Sequence, residues 1–255
     1  YSDLQTAGWI EATVGRGTYV SQNVQGHSFG QGMMNAPLTP DGVINDILQI
    51  NQVVGLRSMA SASPDPRLFP ADEFWGALQS QHTSLLSSVT YGSSQGDPQL
   101  RVEISRDLTE RGIDASPAEI LVTSGVTQGL TLVAQAAAHP GDRVLVEQPT
   151  YLGLLHTLKV RGIQPIGVPM DREGPILDEL ERAIAQHRPR FFYTVPTFQN
   201  PTGHCMSQAR RAALLELAAA HGLLIVEDDI YGRLGYDDAT PPPLAANPGH
   251  AQVVY

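Results

Sequence analysis

Lysine is almost absent from this chain: of 255 residues only Lys159 carries an ammonium side chain. Cysteine is equally scarce. Cys205 stands alone, so no disulfide can form within the chain, and a reduced thiol in a reducing compartment is the expectation. No apolar run approaches membrane-spanning length and no secretory signal opens the sequence, which together point to a cytoplasmic protein without a membrane partner. The eight histidines show no ligand spacing with cysteine or carboxylates, so no metal site is expected. Positive charge is in deficit as well. A formal net charge of −10 argues against the main body of the chain gripping DNA, so any DNA affinity must come from a separate N-terminal module.

What is present is a regular alternation. With 42% hydrophobic residues the chain can bury one sizeable core. Short apolar runs at Ile120–Thr123, Arg143–Glu147, Gln164–Val168, Arg190–Val195 and Leu223–Glu227 are separated by helical stretches. That order predicts an α/β fold with a mostly parallel sheet flanked by helices. Ligands of such sheets collect at the carboxyl ends of the strands, and the motifs below all fall at those ends. Residues 21–39, rich in Gln, Gly, Asn and Ser and without apolar period, read as a linker.

The most specific signal joins two segments. Phe198-Gln199-Asn200-Pro201-Thr202-Gly203 precedes a helical stretch, and the apolar run Leu223–Val226 then closes on Glu227-Asp228-Asp229-Ile230-Tyr231. Asn-Pro-Thr-Gly alone is an ordinary turn. In this order, with the strand between, the two segments resemble the pyridoxal-phosphate site of the aspartate-aminotransferase fold, fold type I. The resemblance implies that Asp228 faces the pyridine nitrogen and keeps it protonated. It also implies that Tyr231 and Asn200 both reach the ring's phenolate oxygen. Ser124-Gly125-Val126-Thr127-Gln128-Gly129, between an apolar run and a helix, matches the phosphate loop, where free backbone N–H groups meet the anion. Relatives carry a hydroxyl residue and a glutamine where Val126 and Thr127 stand, so one side-chain phosphate ligand is lost and weaker cofactor affinity is expected. Glu147-Gln148-Pro149-Thr150-Tyr151 resembles the segment that lays an aromatic, here Tyr151, on the cofactor ring. Tyr91-Gly92, with Gly96 and Leu100-Arg101, resembles the stretch whose tyrosine reaches the phosphate of a neighbouring subunit, which implies a homodimer.

The family's catalytic lysine, which holds the cofactor covalently, has no counterpart here. Lys159 lies near the end of a helix after Tyr151, a solvated position. In relatives the lysine follows a strand resembling Gln252-Val253-Val254-Tyr255, so it is expected beyond Tyr255, and no catalytic residue is assigned within the chain. Where relatives place glycines near a substrate carboxylate, Ser61-Ala62-Ser63 stand, which puts ordinary substrate binding in doubt.

At the other end, residues 1–12 run from a helix end into a strand, and Gly15-Arg16-Gly17 turns the chain back. This resembles the last helix and wing of a GntR-type winged helix-turn-helix, with a small, charged tip suited to DNA phosphate walls. Joined to an aminotransferase-like domain, it is similar to the MocR group of bacterial regulators. The expected division is a wing remnant over 1–22, a linker and arm over 23–55, and a pyridoxal-phosphate-binding domain over 56–255 that is a fragment. The resemblance implies DNA as a partner through the intact N-terminal module and a small amino acid or amine as effector. Two alternatives stay open: a free-standing aminotransferase of the aminoadipate type, and an α/β binding module that has lost the cofactor.

Overall fold

A computed structural model describes residues 10–13, 17–20, 65–80, 91–236 and 240–255. The chain divides into two units, Tyr1–Ser61 and Ala62–Tyr255. In the first, β1 (Ile10–Thr13) and β2 (Gly17–Val20) pair antiparallel, with Ile10 opposite Val20 and Thr13 opposite Gly17. The expected hairpin is therefore present. Its tip residues Gly15 and Arg16 lie outside the described residues, as does the linker, and Gly17 is the first residue of β2.

The second unit is built on six strands: β3 (Arg143–Gln148), β4 (Gln164–Asp171), β5 (Gly174–Pro175), β6 (Phe191–Thr194), β7 (Leu224–Glu227) and β8 (Gln252–Val254). Their order is β5-β4-β3-β6-β7-β8, and every pair is parallel except β4 with β5. The helices are α1 (Ala71–Ser80), α2 (Pro98–Glu110), α3 (Val126–Ala137), α4 (Leu152–Val160), α5 (Leu177–His187) and α6 (Gln208–His221).

Both faces of the central strands β3, β6 and β7 are covered, which is why these read as apolar runs rather than alternating ones. Successive side chains of a strand point to opposite faces. Val144, Val146, Phe191, Tyr193 and Val226 accordingly join Leu130 and Ala134 of α3 and Leu154 and Leu158 of α4 in one cluster. Leu145, Phe192 and Ile225 join Leu180 of α5 and Leu214 and Ala218 of α6 in another. Local signals set the helix ends. Asp97 caps α2 by accepting from the N–H groups of Gln99 (2.8 Å) and Leu100 (3.0 Å), with Pro98 next in line. Ser207 caps α6, and Gly222 closes it in the left-handed conformation at φ 60°.

One expected strand is corrected. Among the described residues Ile120–Thr123 belongs to no ladder, and its backbone bond to the neighbouring loop is the Val122 N–H on the Gln95 carbonyl at 2.9 Å. β-branched residues favour extended backbone, but a strand also needs a neighbour. Neither edge strand of the sheet, β5 or β8, pairs with this segment. Gly96 makes its docking possible, since a Cβ there would sit 2.5 Å from Val122 Cβ. No helix among the described residues is long and apolar enough to cross a membrane.

Candidate functional site

At the carboxyl end of β7 the chain places three acidic residues in a row, and Asp228 is the one that meets Tyr193 of the neighbouring strand. It is buried, with its Oδ2 accepting from the Tyr193 hydroxyl of β6 at 2.8 Å and its Oδ1 from the Ile230 N–H at 3.3 Å. None of the ion pairs among the described residues includes it. Burial pushes its carboxyl above the usual carboxylate range, opposed by the Tyr193 bond. Burial and the adjacent Asp228 charge push the Tyr193 phenol upward, so Tyr193 remains a donor. A desolvated carboxylate with neutral donors and no cation is electrostatically incomplete, and a protonated ring nitrogen would complete it.

The Asn200 turn is brought to the same place by a buried clamp that the sequence did not disclose. Gln199 is 2% exposed and uses its whole amide. Its Nε2 donates to Glu147 Oε2 (3.1 Å) and to the Pro149 carbonyl (2.8 Å). Its Oε1 accepts from the N–H (3.0 Å) and hydroxyl (2.7 Å) of Thr202. Glu147, at the end of β3, also accepts from the Thr194 hydroxyl and from the Val195 N–H (3.3 Å). Burial raises its carboxyl, with these bonds opposing. Arg211, also buried, ties the same loop from below through the carbonyls of Met206 (3.0 Å), Pro196 (2.8 Å) and Pro242 (3.2 Å) and the Thr197 hydroxyl (3.0 Å). The only local sign of the clamp was a glutamine before Asn-Pro-Thr-Gly and a glutamate ending an apolar strand. Neither pattern states its partner.

The expected residues converge in part. Asn200 Nδ2 donates to the Tyr231 hydroxyl at 3.3 Å, so both polar ends meet. Val126, Tyr151 and Tyr231 pack against one buried cluster that contains Tyr193. Tyr151 lies along the first turn of α4, over Gly153, where a Cβ would sit 2.3 Å from the phenol oxygen. Gly125 is the N-cap of α3 at φ 124°, and no side chain caps that helix. Among the described residues, a Cβ at Gly125 would meet no atom within 4 Å beyond its chain neighbours. Gln128 turns back instead, accepting from the Ser124 N–H at 2.5 Å. Tyr91 is fully exposed on the loop ahead of α2, away from this cluster. Lys159 is in the last turn of α4.

An uncapped helix start suits a phosphate, and a buried carboxylate lacking a cation suits a pyridinium. The residues present thus fit one molecule with both features, pyridoxal phosphate. On a parallel sheet of this order, they mark the class of fold type I pyridoxal-phosphate proteins. Comparison with known proteins gives the family: the model for aminotransferase class I and II matches residues 64–254. The chain belongs to that family, whose cofactor is pyridoxal phosphate.

Among curated relatives, the 2-aminoadipate transaminase of Thermus thermophilus is 34% identical over 89% of this chain and 56% of its own length. The uncharacterized HTH-type transcriptional regulator YdcR of Escherichia coli is 32% identical over 100% of this chain and 56% of its own. Among solved structures, LysN, an α-aminoadipate aminotransferase of Thermus thermophilus complexed with a phosphopyridoxyl-leucine, has a TM-score of 0.74 at 32% identity. It is covered over 57% of its chain, against 90% of this one. The kynurenine aminotransferase of Pyrococcus horikoshii has a TM-score of 0.77 at 31% identity, over 92% of this chain and 58% of that one. The chain spans about half the length of the relatives it matches.

Proposed function

We propose that the chain is the pyridoxal-phosphate-binding, aminotransferase-like sensor domain of a bacterial DNA-binding transcriptional regulator of the MocR type. One observation carries this reading beyond the family. Similarity to HTH-type regulators runs through all of the chain, 100% for the Escherichia coli protein and 99% for YdfD of Bacillus subtilis. It therefore takes in the β1–β2 hairpin, which lies ahead of the aminotransferase match at residue 64. A hairpin in that place is what a wing requires, with Gly15, Arg16 and Gly17 at its turn meeting DNA.

When bound, pyridoxal phosphate supplies an electron sink for an attached amino compound. Asp228 holds the proton on the ring nitrogen, and Tyr193 fixes the carboxylate by donating to Oδ2. Asn200 and Tyr231 donate to the phenolate oxygen. The N–H groups at Val126 and Thr127, with Gly125 giving the approach, hold the phosphate, and Tyr151 covers a ring face. Tyr91 is free to reach the phosphate of a second copy in a homodimer. The effector is a small amino acid or amine.

A second reading, a free-standing aminotransferase acting between an amino acid and a 2-oxo acid, is favoured by the 34% identity to the 2-aminoadipate transaminase. The test uses the full-length protein. Pyridoxal phosphate should bind at least tenfold more weakly to Asp228→Ala, a loss of about 1.4 kcal/mol, and should alter retention of promoter DNA in a mobility-shift assay. Equal binding by both proteins overturns the cofactor site, and transamination without DNA retention favours the enzyme.

A further inference from the structure

Asp229, beside Asp228, has a use of its own in the structure. Its side chain is 2% exposed and pairs with Arg111 at the C-terminal end of α2. Tyr255, which follows β8, donates its hydroxyl to the same Asp229 oxygen, Oδ2, at 2.9 Å. Arg111 also donates to the Tyr255 hydroxyl, and its guanidinium lies 5.6 Å from the centre of that ring. Three elements distant in sequence thus close on one carboxylate oxygen. Asp229 Oδ1 is buried with no hydrogen-bond partner among the described residues, so compensation of this charge depends on Arg111 and Tyr255. Gly232 leaves the space: a Cβ there would lie 2.3 Å from Asp229 Oδ2 and 2.6 Å from the Arg111 nitrogen.

The consequence concerns Asp228. Two carboxylates in consecutive residues at a buried strand end repel one another, and the Asp229 charge adds to burial in pushing Asp228 toward its neutral form. Neutral Asp228 cannot hold a pyridinium proton. We propose that Arg111 and Tyr255 are positioning residues: by neutralising and anchoring Asp229 they keep Asp228 ionised and aimed at the cofactor's ring nitrogen. This rests on the assignment of Asp228 given above. Arg111 and Tyr255 bond to Asp229 and not to Asp228, so they act through the peptide link and the field between the two aspartates.

A cofactor analogue separates this role from simple support of the fold. In 1-deazapyridoxal phosphate a carbon replaces the ring nitrogen, so no proton is held there and the Asp228 charge is not needed. Both compounds are titrated into full-length apoprotein by fluorescence quenching, with far-UV circular dichroism confirming the folded state. Arg111→Met should weaken pyridoxal phosphate about tenfold, the equivalent of one pKa unit, and leave the analogue within about twofold. Adding Asp229→Asn to Arg111→Met should restore most of the loss, because the charge to be neutralised is gone.

Tyr255→Phe keeps the ring under the guanidinium but removes the hydroxyl, and should lose about threefold for pyridoxal phosphate alone. It also answers the question if Arg111→Met does not fold. Equal losses for cofactor and analogue, or no loss for either, overturn the proposal. Asp228→Ala serves as the reference: if it too fails to distinguish the two compounds, the assignment of Asp228 is what has failed. If it distinguishes them while Arg111→Met and Tyr255→Phe do not, the positioning role alone is refuted.

Discussion

Replacing Gln199 by leucine tests whether the clamp beneath the Asn200 turn holds the site together. Leucine is close in size, so little cavity forms. What is lost is a complete set of four hydrogen bonds at 2.7–3.1 Å. The Pro149 carbonyl and the Thr202 N–H lose the partners seen here, and Glu147 keeps only Thr194 and Val195. An orphaned buried group costs about 1–3 kcal/mol, and a bond to a charged acceptor falls in the same range. Part of this is recovered by water at the half-buried turn, leaving a net loss of about 3–5 kcal/mol. For a domain of this size that is a fall in Tm of roughly 6–20 °C. Because the Asn200 to Tyr231 bond rests on the same turn, pyridoxal-phosphate affinity should fall with it. The assay is thermal unfolding with and without the cofactor, together with hydrogen exchange at Thr202 and Gly203. A Tm within about 3 °C of wild type, roughly 1 kcal/mol, and unchanged affinity would refute the clamp.

Further outcomes follow from other buried groups. Burial pushes Glu227 up to about 7, against the Leu244 and Ala245 N–H groups that it accepts. A raised carboxyl favours the folded state fully below its ordinary 4.5, and this contribution is lost as pH rises through about 7. Relative to Glu227→Gln, wild type should lose roughly 3 kcal/mol between those limits, and a stability difference that does not change with pH contradicts it. Arg211→Leu strips four acceptors from one buried cation site and should destabilise by about 3–5 kcal/mol in denaturant titration; less than 1 kcal/mol would show that its burial is incidental. Gly125→Ala forces a Cβ into φ 124° while meeting no atom within 4 Å among the described residues beyond its chain neighbours. It should cost about 1–3 kcal/mol and weaken pyridoxal phosphate more than unphosphorylated pyridoxal. Equal weakening of the two would remove the phosphate from the α3 N-terminus.

The candidate site was legible in the sequence where a local pattern marks a turn or a strand end. Asn200, Asp228 and Tyr231 are flagged by a turn and an acidic strand end, and the structure joins Asn200 to Tyr231 through a hydrogen bond. The turn ahead of α3 was legible because a small-residue stretch before a helix is a local arrangement, and Gly125 is the N-cap there. Ile120–Thr123 was misleading for the opposite reason. Its composition reports a backbone preference, while membership of a sheet depends on a neighbour that composition does not name.

By itself the sequence determined the order of elements, because apolar runs of strand length between helical stretches admit few layouts other than a covered parallel sheet. It also determined the turn and cap chemistry, which works over a few residues. Only tertiary structure decided the buried polar contacts. Tyr193 meets Asp228 across 35 residues, Gln199 meets Glu147 across 52, and Arg111 meets Asp229 across 118. The order of parallel strands sets these distances: β3, β6 and β7 become neighbours through crossovers that carry helices between them. A buried carboxylate then takes whichever donor that register brings within reach, because leaving it unpaired costs more than any local preference can offset.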